Sequence, residues 1–220
     1  MWSYYGTKKK IAKYYPKPQC DIIIEPFCGA AQYSLYGDNW KKQVYLVDKY
    51  EIITKIWRYL INSTEKDILS LPDLEIGQNI DDFKMLSDEE RWLIGFCINP
   101  ASAGPKKTSS KRSRWNNNKI DIAKNIYKVK HWKVKCDDFK NIKNVKATWY
   151  IDPPYKYGGI YYRMNNKYID YDDLASWCKS RNGQIIVCEN TKADWLDFAP
   201  LVDLRGQLHT TTEAIWYKSA

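Results

Sequence analysis

The chain has 220 residues, 44% hydrophobic and 28% charged, the composition of one ordinary globular domain with a real core. No apolar run approaches a bilayer span, and Met1 to Lys17 is aromatic and basic without an apolar centre, so neither a membrane helix nor a signal peptide is expected. The six cysteines form no C-x-x-C pair and His131 and His209 stand apart from them, which predicts a reduced, cytoplasmic protein with no metal site; the formal charge of +9 either attracts a polyanion or serves solubility alone.

In chain order, Asp21 to Ile24 reads as a buried strand ending in Glu25-Pro26-Phe27-Cys28-Gly29. Val44 to Val47 is a second strand, ending at Asp48, and Ile52, Ile53, Ile56, Trp57, Leu60 and Ile61 form the apolar stripe of a helix. About a hundred residues then separate the second strand from the third, far more than an ordinary crossover. Within them, Ser87-Asp88-Glu89-Glu90 is a capping-box pattern, Asn99 to Pro105 is a break, Lys106 to Lys119 carries six cations and no acid, and Ile120 to Val129 reads as helical. Ala147 to Ile151 is the third strand, ending in Asp152-Pro153-Pro154-Tyr155; Asp170 to Lys179 is a helix; Gln184 to Cys188 is a fourth strand, ending at Glu189-Asn190. Leu201 to Leu204 and Glu213 to Tyr217, joined through Gly206, suggest an antiparallel edge. These nearly continuous apolar strands predict an α/β fold with a parallel sheet. The expected division is a sheet domain from 1–49 and 136–220, with 50–135 a small inserted helical subdomain and target-recognition region.

In such sheets ligands bind beyond the carboxyl ends of the strands, so those ends are where chemistry is expected. Asp152-Pro153-Pro154-Tyr155 suits the activation of an aryl amine. A carboxylate from Asp152 and the backbone carbonyl of Pro153 can both accept N–H bonds, pulling the nitrogen lone pair out of ring conjugation. The paired prolines, Pro153 and Pro154, stiffen the turn, and Tyr155 offers a flat face to a base.

This turn resembles the catalytic motif of Dam-like (D12 class) N6-adenine DNA methyltransferases. The resemblance implies a Rossmann-like sheet, S-adenosylmethionine as methyl donor, and base flipping of adenine from DNA, in duplex form. Three further matches occur in family order. Glu25 to Ala30 is similar to the cofactor turn, with Phe27 as apolar contact and Gly29 allowing close approach; Ala31 stands where the family usually has a second glycine. Asp48 looks like the group that binds the cofactor ribose, although a helix N-cap is an equally physical role. Tyr4-Tyr5-Gly6-Thr7-Lys8 resembles the amino-terminal motif, which implies that Tyr4 and Lys8 contact cofactor, Lys8 near its carboxylate. Lys8 to Lys10 and Lys13 also fit a solvated basic face. Asp138-Phe139 fits the pair that would hold the cofactor's adenine, with Asp137 competing for the carboxylate role.

The insertion carries no recognisable sequence reader. Lys106, Lys107, Lys111, Arg112 and Arg114 are expected to contact phosphates, with Trp115 stacking on or wedging between bases; the alternative is a flexible solvated loop. The Gly-hinged segment after the catalytic turn places Tyr161 and Tyr162 to close over a flipped base. The same chemistry on RNA, N4 methylation of cytosine, and a non-catalytic nucleic-acid-binding module on this fold are the competing readings.

Overall fold

A computed structural model describes the chain apart from Ser3, Pro100, Ala101 and 206–209, and apart from the side chains of Tyr161, Arg205 and Thr210. Seven strands are present among the described residues: β1 Ile22–Glu25, β2 Gln43–Asp48, β3 Lys133–Cys136, β4 Ala147–Ile151, β5 Gly183–Asn190, β6 Ala199–Arg205 and β7 Thr210–Lys218. They form one sheet in the order β3-β2-β1-β4-β5-β7-β6. The first five are parallel, while β7 runs antiparallel to both β5 and β6. The antiparallel edge predicted from the tail is therefore present, with Gly206 itself outside the described residues.

The α-helices are α1 Gln32–Leu35, α2 Glu51–Asn62, α3 Glu65–Leu69, α4 Asp88–Ile98, α5 Trp115–Asn125 and α6 Tyr171–Ser180. None is long and apolar enough to cross a membrane. Alternate strand residues feed two cores, as the two-residue repeat of a strand requires. Ile23, Val44, Leu46 and Ile186 join the core under α2, while Ile24, Trp149, Ile151, Ile185 and Val187 join the core under α6. On α2, Ile53, Ile56, Trp57 and Leu60 are fully buried, each aliphatic side chain contributing about 1.5–3 kcal/mol.

The span 50–135 is less separate than its composition suggests. Helix α2 covers the sheet and β3 is part of it, so the inserted helices lie between them, within 63–132. Their core is continuous with the sheet's, because Ile68, Leu93, Phe96 and Trp115 share a cluster with Ile23 and Leu46. Two helices of this insert start on capping boxes. Thr64 pairs with Asp67 at α3, and Ser87 pairs with Glu90 at α4, the second as the sequence pattern predicts. Strand β3 is absent from the sequence reading because Lys133-Val134-Lys135-Cys136 offers one apolar residue on an exposed edge.

The chain passes from β1 outward to β2 and β3, then returns to β4 and continues outward on the other side to β5. The reversal leaves a crevice at the carboxyl ends of β1 and β4, where open α/β sheets bind ligands.

Candidate active site

A cleft occupies that crevice, and all its lining residues come from 4–50 and 137–169. It brings together most of the residues singled out in the sequence. Tyr4, Lys8, Glu25, Phe27, Gly29, Asp48, Asp138, Phe139, Asp152, Pro154 and Tyr162 all line it. Pro153 is buried behind the wall, and Tyr155 stands half-buried beside it.

The floor of the cleft follows from the turn after β1. Gly29 and Ala31 both have left-handed backbone angles (φ +44° and +45°), so Ala31 occupies a conformation that favours glycine. Asp48 pins this turn: one carboxylate oxygen accepts from Gly29 N at 3.1 Å and the other from Tyr50 N at 2.9 Å. Burial raises the Asp48 carboxyl to about 6 against these two bonds. Its backbone-anchoring role is thus plain, although Tyr50 rather than Asp48 is the cap of α2. Glu25 is buried and accepts from both the amide (2.9 Å) and the hydroxyl (2.5 Å) of Ser34. Burial lifts its carboxyl to about 8, the Ser34 bonds opposing.

One wall is aromatic. Phe27 and Phe139 lie 5.5 Å apart at 36°. Beside them Asp138 pairs with Lys49 at 2.9 Å, and Asp137 is held by Asn141 and Lys135, which depress its carboxyl to about 2. The roof is Tyr162, whose ring stands edge-on to Tyr5 at 4.9 Å and near Tyr4 at 6.0 Å. A Cβ on Gly6 would lie 1.9 Å from the Tyr162 hydroxyl, so the segment after the catalytic turn docks on the amino-terminal segment only because residue 6 is glycine. Tyr161 sits in the adjoining 3-10 turn, and its side chain lies outside the described residues.

Asp152 ends β4 with its carboxylate 17% exposed. Its Oδ1 is buried and ion-paired with the Lys8 ammonium at 3.3 Å. Burial pushes the Asp152 carboxyl up to about 7; Lys8 pulls it down and Glu213 adds to the rise. The Pro153 carbonyl has no donor among the described residues, whereas the Pro154 carbonyl accepts from the Tyr171 hydroxyl at 2.5 Å. Asp152 thus lines the cleft at the end of β4 with its carboxylate paired to Lys8, and Pro153 is buried next to it.

Three expectations need correction. The Lys8 ammonium is buried among Asp152, Glu213 and Tyr155, not on a solvated face, and its bonds are spent on protein groups before any cofactor carboxylate. The Tyr155 hydroxyl donates to Glu213 at 2.5 Å and bonds Lys8, and Tyr155 is not among the residues lining the cleft, so the stacking face expected of it is not part of the cleft wall. Trp115 is fully buried with its indole N–H bonded to the Pro72 carbonyl at 2.7 Å, which removes it from any role in stacking on bases.

None of Lys106, Lys107, Lys111, Arg112 or Arg114 lines the cleft. All five are exposed; Lys107 pairs with Asp81 at 2.7 Å, and the other four have no ion-pair partner among the described residues. The loop is anchored by backbone bonds from Lys106 N to Gly95, Ile80 N to Lys107, Ser109 N to Gln78 and Arg114 N to Cys97. Glu213 and Tyr15 are not among the site residues expected from the sequence, yet both belong to the buried cluster behind Asp152. The signal for Glu213 was a lone acid opening the apolar run Ala214-Ile215-Trp216 on an inner strand, where a buried carboxylate requires a partner.

Neither a scan against protein-family models nor a search of the curated proteins finds a match to this chain.

Proposed function

We propose that this protein transfers a methyl group from S-adenosylmethionine to the N6 amine of adenine in DNA. The observation that carries the reading is the Asp152 turn, which sets a partly exposed carboxylate and, one residue on, the Pro153 carbonyl at the switch point of a parallel sheet. An exocyclic amine has two N–H groups, and this pair of acceptors matches them.

The residues present also fit the methyl donor. The Phe27–Phe139 pair suits a purine ring, Asp138 stands beside it, and Glu25 and Asp48 approach the left-handed turn at Gly29. Bound S-adenosylmethionine supplies an electrophilic methyl group on a sulfonium. The chain's part is to hold the amine: Asp152 and Pro153 accept its two hydrogens and bias the nitrogen toward tetrahedral geometry, and Lys8 keeps charge on Asp152 against its burial. Positive charge developing on the methylated nitrogen would be held beside the Asp152 carboxylate until its proton passed to water. Tyr162 and the loop that carries it are suited to shield an extruded base. The exposed cations of 106–114 supply phosphate contacts outside the cleft.

The test is transfer of labelled methyl to duplex DNA, single-stranded DNA and RNA in parallel, with nucleoside analysis. The expected product is N6-methyladenine in DNA, reduced at least 10²–10³-fold by Asp152→Ala with the fold retained. Product in RNA alone, or undiminished turnover by Asp152→Ala, overturns the reading.

A further inference from the structure

Beyond Asp152 the chain has little backbone with which to fix itself. Pro153 and Pro154 carry no N–H, so neither can donate to a neighbour, and the turn needs an anchor further on. That anchor comes from β5. The last pair between β4 and β5 is Ile151 with Val187, and β5 runs on through Cys188 and Glu189 to Asn190. Glu189 therefore stands beside the turn instead of beside a strand, and it is fully buried. Its Oε1 accepts from the Lys156 amide at 2.6 Å and from the Trp195 indole at 3.3 Å, and its Oε2 accepts from the Asn190 amide at 2.8 Å. Two further bonds hold the same stretch: the Asn190 side chain donates to the Tyr157 carbonyl at 3.0 Å, and the Asn166 side chain to the Lys156 carbonyl at 2.8 Å.

Three N–H donors thus converge on one carboxylate. Such a place suits a side chain that only accepts. An ionised carboxylate has lone pairs for all three, whereas an amide or a carboxylic acid would turn a hydrogen toward one of the donors. Glu189 does not line the cleft, and all three of these bonds go to the protein itself. We propose that Glu189 is a positioning residue for the Asp152 turn. By holding the Lys156 amide, it ties the run that begins at the end of β4 to the end of β5, and so sets where Asp152 and Pro153 stand in the cleft. The consequence for methyl transfer rests on the function proposed above; the anchor itself does not.

The experiment uses the full chain. Backbone amide NMR follows the anchor directly, and methyl transfer to duplex DNA gives kcat and KM for the methyl donor. In the unaltered protein the Lys156 amide proton resonates well downfield and exchanges slowly, as an N–H bonded to a buried carboxylate does. In Glu189→Gln it moves upfield and exchanges about tenfold faster or more, and the amides of Asp152 and Tyr155 shift with it. The mid-strand amides of Ile185 and Ile186 keep their exchange within about twofold, which marks the fold as retained. The kcat falls about tenfold, and KM for the methyl donor stays within about twofold, because the turn moves and the donor's side of the cleft does not.

Trp195→Phe is the control for a merely structural loss. It removes the indole donor and leaves the Lys156 bond, so the Lys156 amide and kcat stay within about twofold of the unaltered protein. Should Glu189→Gln not fold, Glu189→Asp takes its place: it keeps the charge, withdraws the carboxylate by one methylene, and is expected to show the same changes. An unmoved Lys156 amide in the Glu189 variant overturns the proposal, as does an equal fall of kcat in Trp195→Phe. If the unaltered protein transfers no methyl group, the function proposed above falls, and the amides of Asp152, Tyr155 and Lys156 still decide whether Glu189 positions the turn.

Discussion

Lysine does opposite work in the two halves of this molecule. In the cleft, Lys8 is buried, held by Glu213 and Tyr155, and lies 3.3 Å from Asp152. In the inserted loop, Lys106 and Lys111 stand exposed with no ion-pair partner among the described residues. A buried cation acts on one neighbour at short range, where the low local dielectric makes its removal expensive. An exposed one acts over a Debye length on any polyanion, and its removal costs the fold little. The +9 charge of the chain therefore gives no guide to the site's own charge. Lys8, Asp152 and Glu213 together are net anionic when all are ionised.

Two substitutions should separate the regions most strongly. Trp115→Ala empties a fully buried position and leaves the Pro72 carbonyl without its donor, a loss of about 3–5 kcal/mol by denaturant unfolding. Its nucleic-acid salt dependence, measured below the unfolding range, should be unchanged; a flattened slope would restore Trp115 to the binding surface. Lys8→Met leaves two buried carboxylates facing one another, at a cost of about 3 kcal/mol near pH 8. The pH sign is fixed by the raised pKa values. Burial works against the Lys8 charge, but Asp152 and Glu213 more than offset it. The stabilising contribution of Lys8 is therefore fully present below the ordinary lysine range. Without Lys8, the Asp152 midpoint rises further above about 7, so the native state of the variant regains stability as pH falls through that value. A deficit equal at pH 5 and pH 8 would break the comparison.

The central sheet was legible because its strands are buried on both faces, and a nearly continuous apolar run such as Ile22-Ile23-Ile24 or Ile185-Ile186-Val187 has few other readings. Much of the cleft lining was legible too, since Glu25, Asp48 and Asp152 each close a strand at the same end of the sheet. What stayed hidden depends on contacts distant in sequence. Glu213 meets Lys8 across 205 positions, and no local pattern records such a pairing. Trp115 was misread for a different reason: its cationic neighbours drew attention from its helical spacing. Trp115, Ile122, Ala123 and Ile126 fall on one face at i, i+7, i+8 and i+11, and all four are buried. The periodicity was available and outweighed the composition.

The smallest effect concerns the loop itself. Lys111, Arg112 and Arg114 project from backbone tied at Ser113 N to Ser110 and at Arg114 N to Cys97, so the turn is ordered before any partner arrives. None of the three has an ion pair among the described residues, and each should contribute under about 1 kcal/mol to the fold. Changing all three to Gln should leave the unfolding midpoint nearly unmoved. On duplex DNA, each phosphate contact removed lowers the slope of log affinity against log salt by about 0.9, so three contacts lower it by about 2.7. A fall of that size, uniform across DNA sequences, would mark the loop as a backbone clamp. A fall that depended on sequence would assign it base contacts instead. An unchanged slope would leave these cations as solvated surface and move the search for the DNA contact to other exposed cations such as Lys9, Lys10 and Lys13.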